Sequence, residues 1–199
     1  MTPELYFIYD SHCPWSYATS ALVNALAEAF PEMNINAWHC AYYNGGDSAG
    51  FKQVETVAQK SVVKFSQEHM RFVDSPKDST MTANLMAWLQ NKQPEKLLPV
   101  LNALQKAHFI DGSPLTCKYD FHAIIDEFKL SPPNKVFKDE LSKDAEYILS
   151  DIAELQEFMG TTGFPALLLT HDDKAILLDH SLYLNKPAAI VTAVKKELK

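Results

Sequence analysis

One short segment of the chain carries the residue types and spacing needed for sulfur chemistry. Cys13 follows an apolar run and directly precedes Pro14, and Ser16 lies three positions beyond Cys13. Proline is well tolerated in the first turn of an α-helix, so the segment predicts a helix that begins at the cysteine. The unpaired N–H groups and the positive dipole end of a helix N-terminus stabilise a thiolate. The pattern therefore predicts an exposed, reactive Cys13 with a lowered pKa.

The residues beside Cys13 extend this prediction. A positive charge on His12 could stabilise the thiolate further, and Ser16 Oγ lies one helical turn on, where it can hydrogen-bond the sulfur. Pro14 stiffens the turn, and Trp15 covers it with an apolar face. The alternative is a small cysteine packed in the core, which is the commoner state of free cysteines.

A second motif, Gly163-Phe164-Pro165, leads into the apolar run 166–169. Proline is accepted at the first position of a strand. A cis bond before Pro165 would turn the Phe164 backbone outward, where an extended substrate could pair with it. A trans proline that simply begins an edge strand fits the motif equally well.

The remaining cysteines are weaker candidates. Cys40 ends a predicted strand at the same edge of the sheet as Cys13 and could act as a resolving thiol, although a packed strand cysteine is favoured. Cys117 is predicted to be structural. His12, Cys13, His39 and Cys40 are zinc-ligand types, but neighbouring strand residues point to opposite faces and the chain has no Cys-x-x-Cys pair. We therefore predict no metal.

The composition excludes several classes of function. The 199 residues are 47% hydrophobic, yet no apolar run approaches the ~18–20 residues of a membrane span. A net charge of −7 and a single arginine, Arg71, argue against nucleic-acid binding, and no glycine-rich phosphate-binding loop is present. Three cysteines are too few for a secreted disulfide framework, and the first residues do not resemble a signal peptide. We expect a cytosolic protein.

Strands and helices alternate in the N-terminal part of the chain. Residues 5–9 form an unbroken apolar run, which predicts a strand buried on both faces. A helix follows Pro14, and residues 33–43 predict a second strand. Between residues 51 and 141 the sequence shows only helical periodicity, interrupted by proline-containing turns.

The C-terminal part returns to mixed elements. A helix begins at about Ser142 and ends at Gly160, and two strands follow at 166–170 and 175–178. Asn185 is predicted to cap a final helix.

This element order predicts an α/β protein with a thioredoxin-like fold and an all-helical insertion. Residues 1–50 and 142–199 would form the thioredoxin-like domain, and residues 51–141 the inserted domain.

Together the motifs resemble the DsbA-like branch of the thioredoxin superfamily over the whole chain. They are most similar to the cytosolic FrnE-like proteins and, more distantly, to kappa-class glutathione transferases and 2-hydroxychromene-2-carboxylate isomerases. The segments that carry the resemblance are Asp10-x-x-Cys13-Pro14-Trp15-Ser16-Tyr17, Ala107-x-x-Ile110-Asp111-Gly112 and Gly163-Phe164-Pro165. The resemblance implies that Cys13 is the attacking thiol, that Pro165 is a cis-proline facing it, and that Phe164 contributes to substrate binding.

One departure from the family pattern shapes the expected activity. Dithiol members have Cys-x-x-Cys, whereas Ser16 occupies the second position here, so no disulfide can close within the motif. The resemblance then implies a thiol–disulfide oxidoreductase or isomerase that acts through Cys13 alone, with glutathione or another thiol for resolution and no tightly bound cofactor. Its partner would be a protein or small molecule bearing a disulfide or glutathione, and the chain would be a monomer or homodimer.

Two alternatives remain open at this point. The chain could be a glutathione-dependent transferase or isomerase of a small electrophilic molecule, or a non-catalytic module that binds peptides in the same groove.

Overall fold

The computed structural model describes residues 2–199 and contains four strands and eight α-helices in that part of the chain. The elements, in chain order, are β1 (Glu4–Tyr9), α1 (Pro14–Ala29), β2 (Asn34–His39), α2 (Gly50–Lys60), α3 (Gln67–Met70), α4 (Thr80–Lys92), α5 (Leu97–Phe109), α6 (His122–Glu127), α7 (Lys143–Met159), β3 (Ala166–His171), β4 (Lys174–Leu178) and α8 (Ala189–Glu197).

The four strands form one sheet in the order β2-β1-β3-β4. β1 pairs in parallel with β2, with Leu5 opposite Ile35, and antiparallel with β3, with Phe7 opposite Leu167. β1 thus lies between two neighbours, which explains its unbroken apolar sequence. The predicted α/β thioredoxin-like fold is confirmed.

The segment between β2 and α7 consists of helices and turns. Its side chains share one hydrophobic cluster with the sheet, since Phe7 of β1 belongs to the same cluster as Leu85 of α4, Leu101 of α5 and Phe121. The helical character predicted for residues 51–141 agrees with the structure, whereas the division into two domains stays a prediction.

The second strand is shorter than the sequence predicts. β2 ends at His39, although the Cys40 N–H still donates to the Tyr9 carbonyl over 2.7 Å. The backbone then leaves the extended region at Ala41, whose φ is +47°. This turn carries Tyr43 and the loop that follows towards the C-terminal edge of β1.

The predicted bounds of α7 are confirmed, but the predicted cap of α8 is wrong. Ser142 Oγ accepts a hydrogen bond from the Ala145 N–H, and Gly160 ends α7 in the left-handed conformation at φ +67°. α8 begins at Ala189 rather than after Asn185. Asn185 lies in a turn, and the residue before Pro187 is disfavoured from helical conformation, so the helix cannot begin there.

Candidate active site

Cys13 lies where the chain leaves β1 and begins α1. Its N–H donates to the Asp10 carbonyl over 3.1 Å, and its own carbonyl accepts the Tyr17 N–H of the first helical turn over 2.9 Å. Cys13 is thus the N-cap residue, and Pro14 occupies the first helical position, where a missing N–H costs nothing. The predicted position of Cys13 is correct.

The predicted exposure and pKa of Cys13 are wrong. The residue is 4% exposed, and its burial raises the pKa of the thiol to about 11. The negative charge of Asp10 acts in the same direction. Burial therefore outweighs the helix N-terminus, and the resting thiol is protonated at neutral pH.

Hydrogen-bond donors nevertheless face the sulfur. The backbone N–H and hydroxyl of Ser16 and the backbone N–H of Trp15 each lower the Cys13 pKa, in opposition to burial. The Ser16 hydroxyl is itself held in place, because its oxygen accepts the Asp10 N–H over 3.2 Å. These groups would stabilise a thiolate once one forms, which is the role predicted for Ser16.

Asp10 is fully buried and organises the loops around Cys13. One carboxylate oxygen accepts the His12 N–H over 2.8 Å. The other accepts the N–H groups of Tyr42 and Tyr43, at 2.8 and 3.2 Å, and the Ser79 hydroxyl at 2.7 Å. A single side chain thereby joins the cysteine loop, the loop after β2 and the start of α4.

His12 does not supply the positive charge that the sequence suggests. The ring is buried, and burial lowers its pKa, so it is neutral at pH 7. Its Nε2 lies 3.0 Å from the Pro114 carbonyl and its Nδ1 lies 3.0 Å from Ser11 Oγ, which uses both ring nitrogens. His12 links the cysteine loop to the helical segment and is absent from the cleft that Cys13 lines.

The Phe164–Pro165 peptide bond is cis, as the resemblance implies. Cys13, Trp15 and Phe164 line one open cleft of about 400 Å³. Pro165 lines an adjoining groove of about 500 Å³, which Phe164 shares and which continues along Leu177 of β4. The two motifs that sequence reasoning singled out are thus brought together at one edge of the sheet.

The cleft also contains residues that sequence reasoning missed. They come mainly from the loop after β2 and the start of α2, and they are Tyr42, Tyr43, Asp47, Ser48, Ala49, Gln53, Thr162 and Gly163. The Tyr42 ring lies 5.0 Å from the Phe164 ring, between centroids, so the loop contacts the cis-proline motif directly. The signal that could have found them is the loop Asn44-Gly45-Gly46-Asp47-Ser48, which follows a strand at the same edge as Cys13.

Tyr43 occupies a central place among these residues. Burial first, and then the negative charges that Cys13, Asp10, Tyr42 and Asp47 carry when ionised, raise the pKa of its phenol far above the ordinary value. Tyr43 stays a neutral hydrogen-bond donor at every physiological pH.

All three cysteines are free thiols. Cys40 is half-buried and packs against Ile8 and Ala166 in a second hydrophobic cluster, and burial strongly raises its thiol pKa. Cys117 is exposed at the start of a short 3₁₀ turn and does not line the cleft. These contacts favour a packed structural cysteine at position 40, and a resolving role for Cys40 stays a prediction.

The residues weighed for a zinc site are engaged elsewhere. His39 Nε2 accepts the Ser11 N–H over 3.0 Å, and Cys40, which directly follows β2, packs among apolar side chains. Within residues 2–199, no group of three or more His, Cys, Asp or Glu side chains is placed to hold a metal ion.

Three histidines that appear unrelated in the sequence lie side by side. The ring of His108 is 4.1 Å from that of His12 and 5.1 Å from that of His69, between centroids. His69 and His108 also line a more enclosed cavity of about 200 Å³ in the helical segment, which does not include Cys13. The cluster packs the helical segment against the residue before the candidate nucleophile.

No protein-family model and no curated protein matches the chain. Among solved structures it is similar to the cytosolic disulfide reductase DsbM from Pseudomonas aeruginosa with GSH, with a TM-score of 0.83, 18% identity and 98% of each chain covered. It is also similar to a candidate protein disulfide isomerase from Nitrosomonas europaea, with a TM-score of 0.74, 13% identity and coverage of 99% of this chain and 98% of that one. It is also similar to a DsbA variant from Pseudomonas aeruginosa, with a TM-score of 0.55, 12% identity and coverage of 99% of this chain and 85% of that one.

These similarities extend over nearly the full length of the chain, and the chain has the DsbA-like thioredoxin fold. Within the part of the chain that the structure describes, none of the helices is long and apolar enough to cross a membrane.

Proposed function

We propose that the chain is a thiol–disulfide oxidoreductase that works through the single thiol of Cys13. The observation that carries the proposal is the shared cleft of Cys13 and Phe164, with donors from Trp15 and Ser16 facing the sulfur and the cis bond to Pro165 following Phe164. The fold shared with a disulfide reductase, DsbM, supports the same class of reaction.

The reaction proceeds by successive thiol–disulfide exchanges. Cys13 loses its proton to water, the thiolate attacks one sulfur of a substrate disulfide, the S–S bond breaks, and the other sulfur leaves as a thiolate that takes up a proton. An outside thiol then attacks the substrate sulfur of the mixed disulfide, releases Cys13, and forms a disulfide with that half of the substrate. A second molecule of the outside thiol cleaves this product, so two outside thiols are oxidised to one disulfide for each substrate disulfide reduced, and the electrons balance without a metal or flavin.

Ser16 determines that the resolving thiol comes from outside the motif. Its hydroxyl occupies the position from which a second cysteine would resolve the mixed disulfide, and it instead faces the Cys13 sulfur. We assign glutathione as the outside thiol, supported by the similar DsbM structure, which was solved with GSH. A thiol pool of this kind is found in reducing compartments, which is consistent with cytosolic work by a protein with three free cysteines.

The test is to trap the intermediate. The purified protein is incubated with glutathione disulfide at pH 8, and the adduct is located by mass spectrometry of the intact chain and of its peptides. We expect a glutathione on Cys13, separate from any adduct on the exposed Cys117, and we expect reduced glutathione to remove it. Absence of an adduct on Cys13, or an adduct that glutathione does not remove, would overturn the proposal.

A further inference from the structure

The charge of the cleft bears on which disulfides it binds. Of its eleven lining residues, Asp47 carries the one carboxylate, and within the described chain no lysine, arginine or histidine lines the cleft. The Cys13 thiol and the Tyr43 phenol both have raised pKa values and are uncharged at neutral pH. The cleft therefore carries net negative charge.

A second negative charge lies behind the wall of the cleft. The Asp10 carboxylate is fully buried, and it opposes ionisation of both Cys13 and Tyr43. Asp47 acts on the same Tyr43 hydroxyl from the loop side. The nucleophile thus shares its cleft with the Asp47 carboxylate, and the buried Asp10 carboxylate opposes its ionisation from another element.

Two buried basic residues, Lys77 and His12, are engaged elsewhere and do not neutralise these charges. Lys77 is buried, and its ammonium donates to the carbonyls of Phe72 and Ser75 and to the Ser75 hydroxyl, while its side chain lines the separate cavity in the helical segment. His12 is uncharged and is bonded to the Pro114 carbonyl.

The loop that carries Asp47 is bordered by further carboxylates. Asp74 Oδ1 accepts the Phe51 N–H at the start of α2 over 3.0 Å. The backbone of Asp78 forms an isolated β-bridge with that of Asn44 at the other end of the loop. Acidic side chains thus flank both ends of the loop that carries Asp47.

A charged substrate would change how readily Cys13 ionises. A positive charge beside the sulfur favours the thiolate, because it offsets Asp10, whereas a second negative charge adds to the cost of ionisation. The chain as a whole, at net charge −7, also attracts cations towards the cleft.

We infer that the cleft selects disulfides that carry a primary ammonium group close to the sulfur atoms, with Asp47 as the residue that pairs with the ammonium. The inference rests on the proposed thiol–disulfide exchange at Cys13. In this step Cys13 forms a mixed disulfide with one half of the substrate, the S–S bond breaks, and the other half leaves as an aminothiol. Glutathione has one ammonium group and two carboxylates, so it would use Asp47 for the first and meet no basic side chain for the others.

The experiment compares three disulfides of similar size and different charge. Cystamine is a dication, bis(2-hydroxyethyl) disulfide is neutral, and dithiodiglycolate is a dianion. The rate of adduct formation on Cys13 is measured by mass spectrometry and divided by the rate with a neutral cysteine peptide, which removes the intrinsic reactivity of each reagent. We expect the normalised rates to fall from cation to neutral to anion by about fivefold at each step, the size of a partly exposed ion pair.

Three further measurements test whether the preference is electrostatic and depends on Asp47. Asp47→Asn should lower the ratio of the cystamine rate to the dithiodiglycolate rate by about fivefold. Asp139→Asn removes an exposed carboxylate that does not line the cleft and should leave the ratio unchanged. Added salt at 0.5 M should also reduce the ratio, since it screens exposed charges.

Different results would overturn the charge preference and the proposed exchange at Cys13. Adducts on Cys13 at equal normalised rates, or faster with the anion, would overturn the charge preference and leave the exchange reaction in place. A preference for cystamine that survives in Asp47→Asn would overturn the assignment of Asp47. Absence of any adduct on Cys13 with all three reagents would overturn both.

Discussion

The buried carboxylate of Asp10 opposes ionisation of the Cys13 thiol three residues further along the chain. The same carboxylate accepts four hydrogen bonds, from the N–H groups of His12, Tyr42 and Tyr43 and from the Ser79 hydroxyl. The Asp10 carboxylate thus connects the loops of the cleft and favours the protonated form of Cys13. Exchange begins only when a substrate or a higher pH shifts Cys13 towards the thiolate.

Asp10→Asn removes the charge that opposes ionisation of Cys13 and also disturbs the hydrogen bonds to the neighbouring loops, and two measurements distinguish these effects. Loss of the charge should lower the Cys13 pKa below about 11 and speed alkylation by iodoacetamide at pH 8. The amide cannot accept at both positions, so at least one buried donor loses its partner, and the free energy of unfolding should fall by about 1–3 kcal/mol. Alkylation rates against pH measure the first effect, and urea unfolding the second.

Asp139→Asn is the matched control for Asp10→Asn. It removes an exposed carboxylate outside the cleft, and both measurements should match the wild type. An unchanged alkylation profile in Asp10→Asn would contradict an electrostatic role for Asp10.

The sequence predicted those parts of the site that depend on local backbone chemistry. Pro14 after Cys13 is a local signal for a helix start, and Pro165 marks the beginning of β3, so both motifs could be placed on their elements. Burial is different, because it depends on what packs over a residue. The loop of Tyr43 and the start of α4 are bonded to the Asp10 carboxylate beside the cysteine loop, and neither contact is encoded near position 13.

The residues that sequence reasoning missed are brought in by tertiary contacts. Tyr43 and Asp47 follow β2, and they reach Cys13 because β2 pairs in parallel with β1 and both strands end at the same edge. His69 and His108 meet His12 because α3 and α5 pack near the cysteine loop. No regular spacing in the chain signals either group, and only the glycine-containing loop after β2 marks the neighbourhood of Tyr43 and Asp47.

Ser16→Ala tests the donors that face the sulfur. Loss of the hydroxyl removes one group that lowers the Cys13 pKa, so the pKa should rise above about 11 and alkylation below that pH should slow by about tenfold. The rate constant for iodoacetamide, measured from pH 7 to pH 11, gives the shift. Ser20→Ala is the control, since the Ser20 hydroxyl donates to the Ser16 carbonyl and not to the sulfur. Identical profiles for Ser16→Ala and the wild type would show that the hydroxyl does not contact the thiolate.

Replacing the cysteines one at a time tests which thiol carries out the disulfide exchange. Cys13→Ser should abolish glutathione-dependent reduction of bis(2-hydroxyethyl) disulfide, because no other thiol lines the cleft within residues 2–199. Cys117→Ser should keep the wild-type rate, since that residue is exposed and lies outside the cleft. Turnover is followed through glutathione disulfide formation.

Cys40→Ser distinguishes a packed thiol from a resolving one. The half-buried Cys40 packs among apolar side chains, so we expect full turnover and a small loss of stability. Accumulation of a Cys13 mixed disulfide in Cys40→Ser would instead identify Cys40 as the resolving thiol. Turnover retained in Cys13→Ser would favour the alternative in which bound glutathione supplies the reacting sulfur.

The histidine cluster predicts that stability falls in mild acid. Burial lowers the pKa values of His12 and His108, and it lowers that of His69 to about 4. The unfolded chain protonates its histidines near pH 6.5, so the stability that His69 contributes is complete above pH 6.5 and is lost as the pH falls towards 4. His69 contributes a loss of about 1.4 kcal/mol per pH unit in that range, and His12 and His108 act in the same direction. Urea unfolding at pH 7, 6 and 5 measures the slope.

His69→Phe should reduce the acid sensitivity of unfolding. The substitution removes one buried titrating group while an aromatic ring still fills the site beside Phe65 and Phe109, so the loss of stability between pH 6.5 and 5 should be smaller than in the wild type by about 2 kcal/mol. The variant also loses the contact of His69 Nδ1 with the His108 carbonyl, so it should start from a lower stability at pH 7. His122→Gln, at an exposed position, should keep the wild-type slope. Equal slopes for His69→Phe and the wild type would mean that His69 is protonated in the folded chain, which its burial and its contact with a second imidazole both oppose.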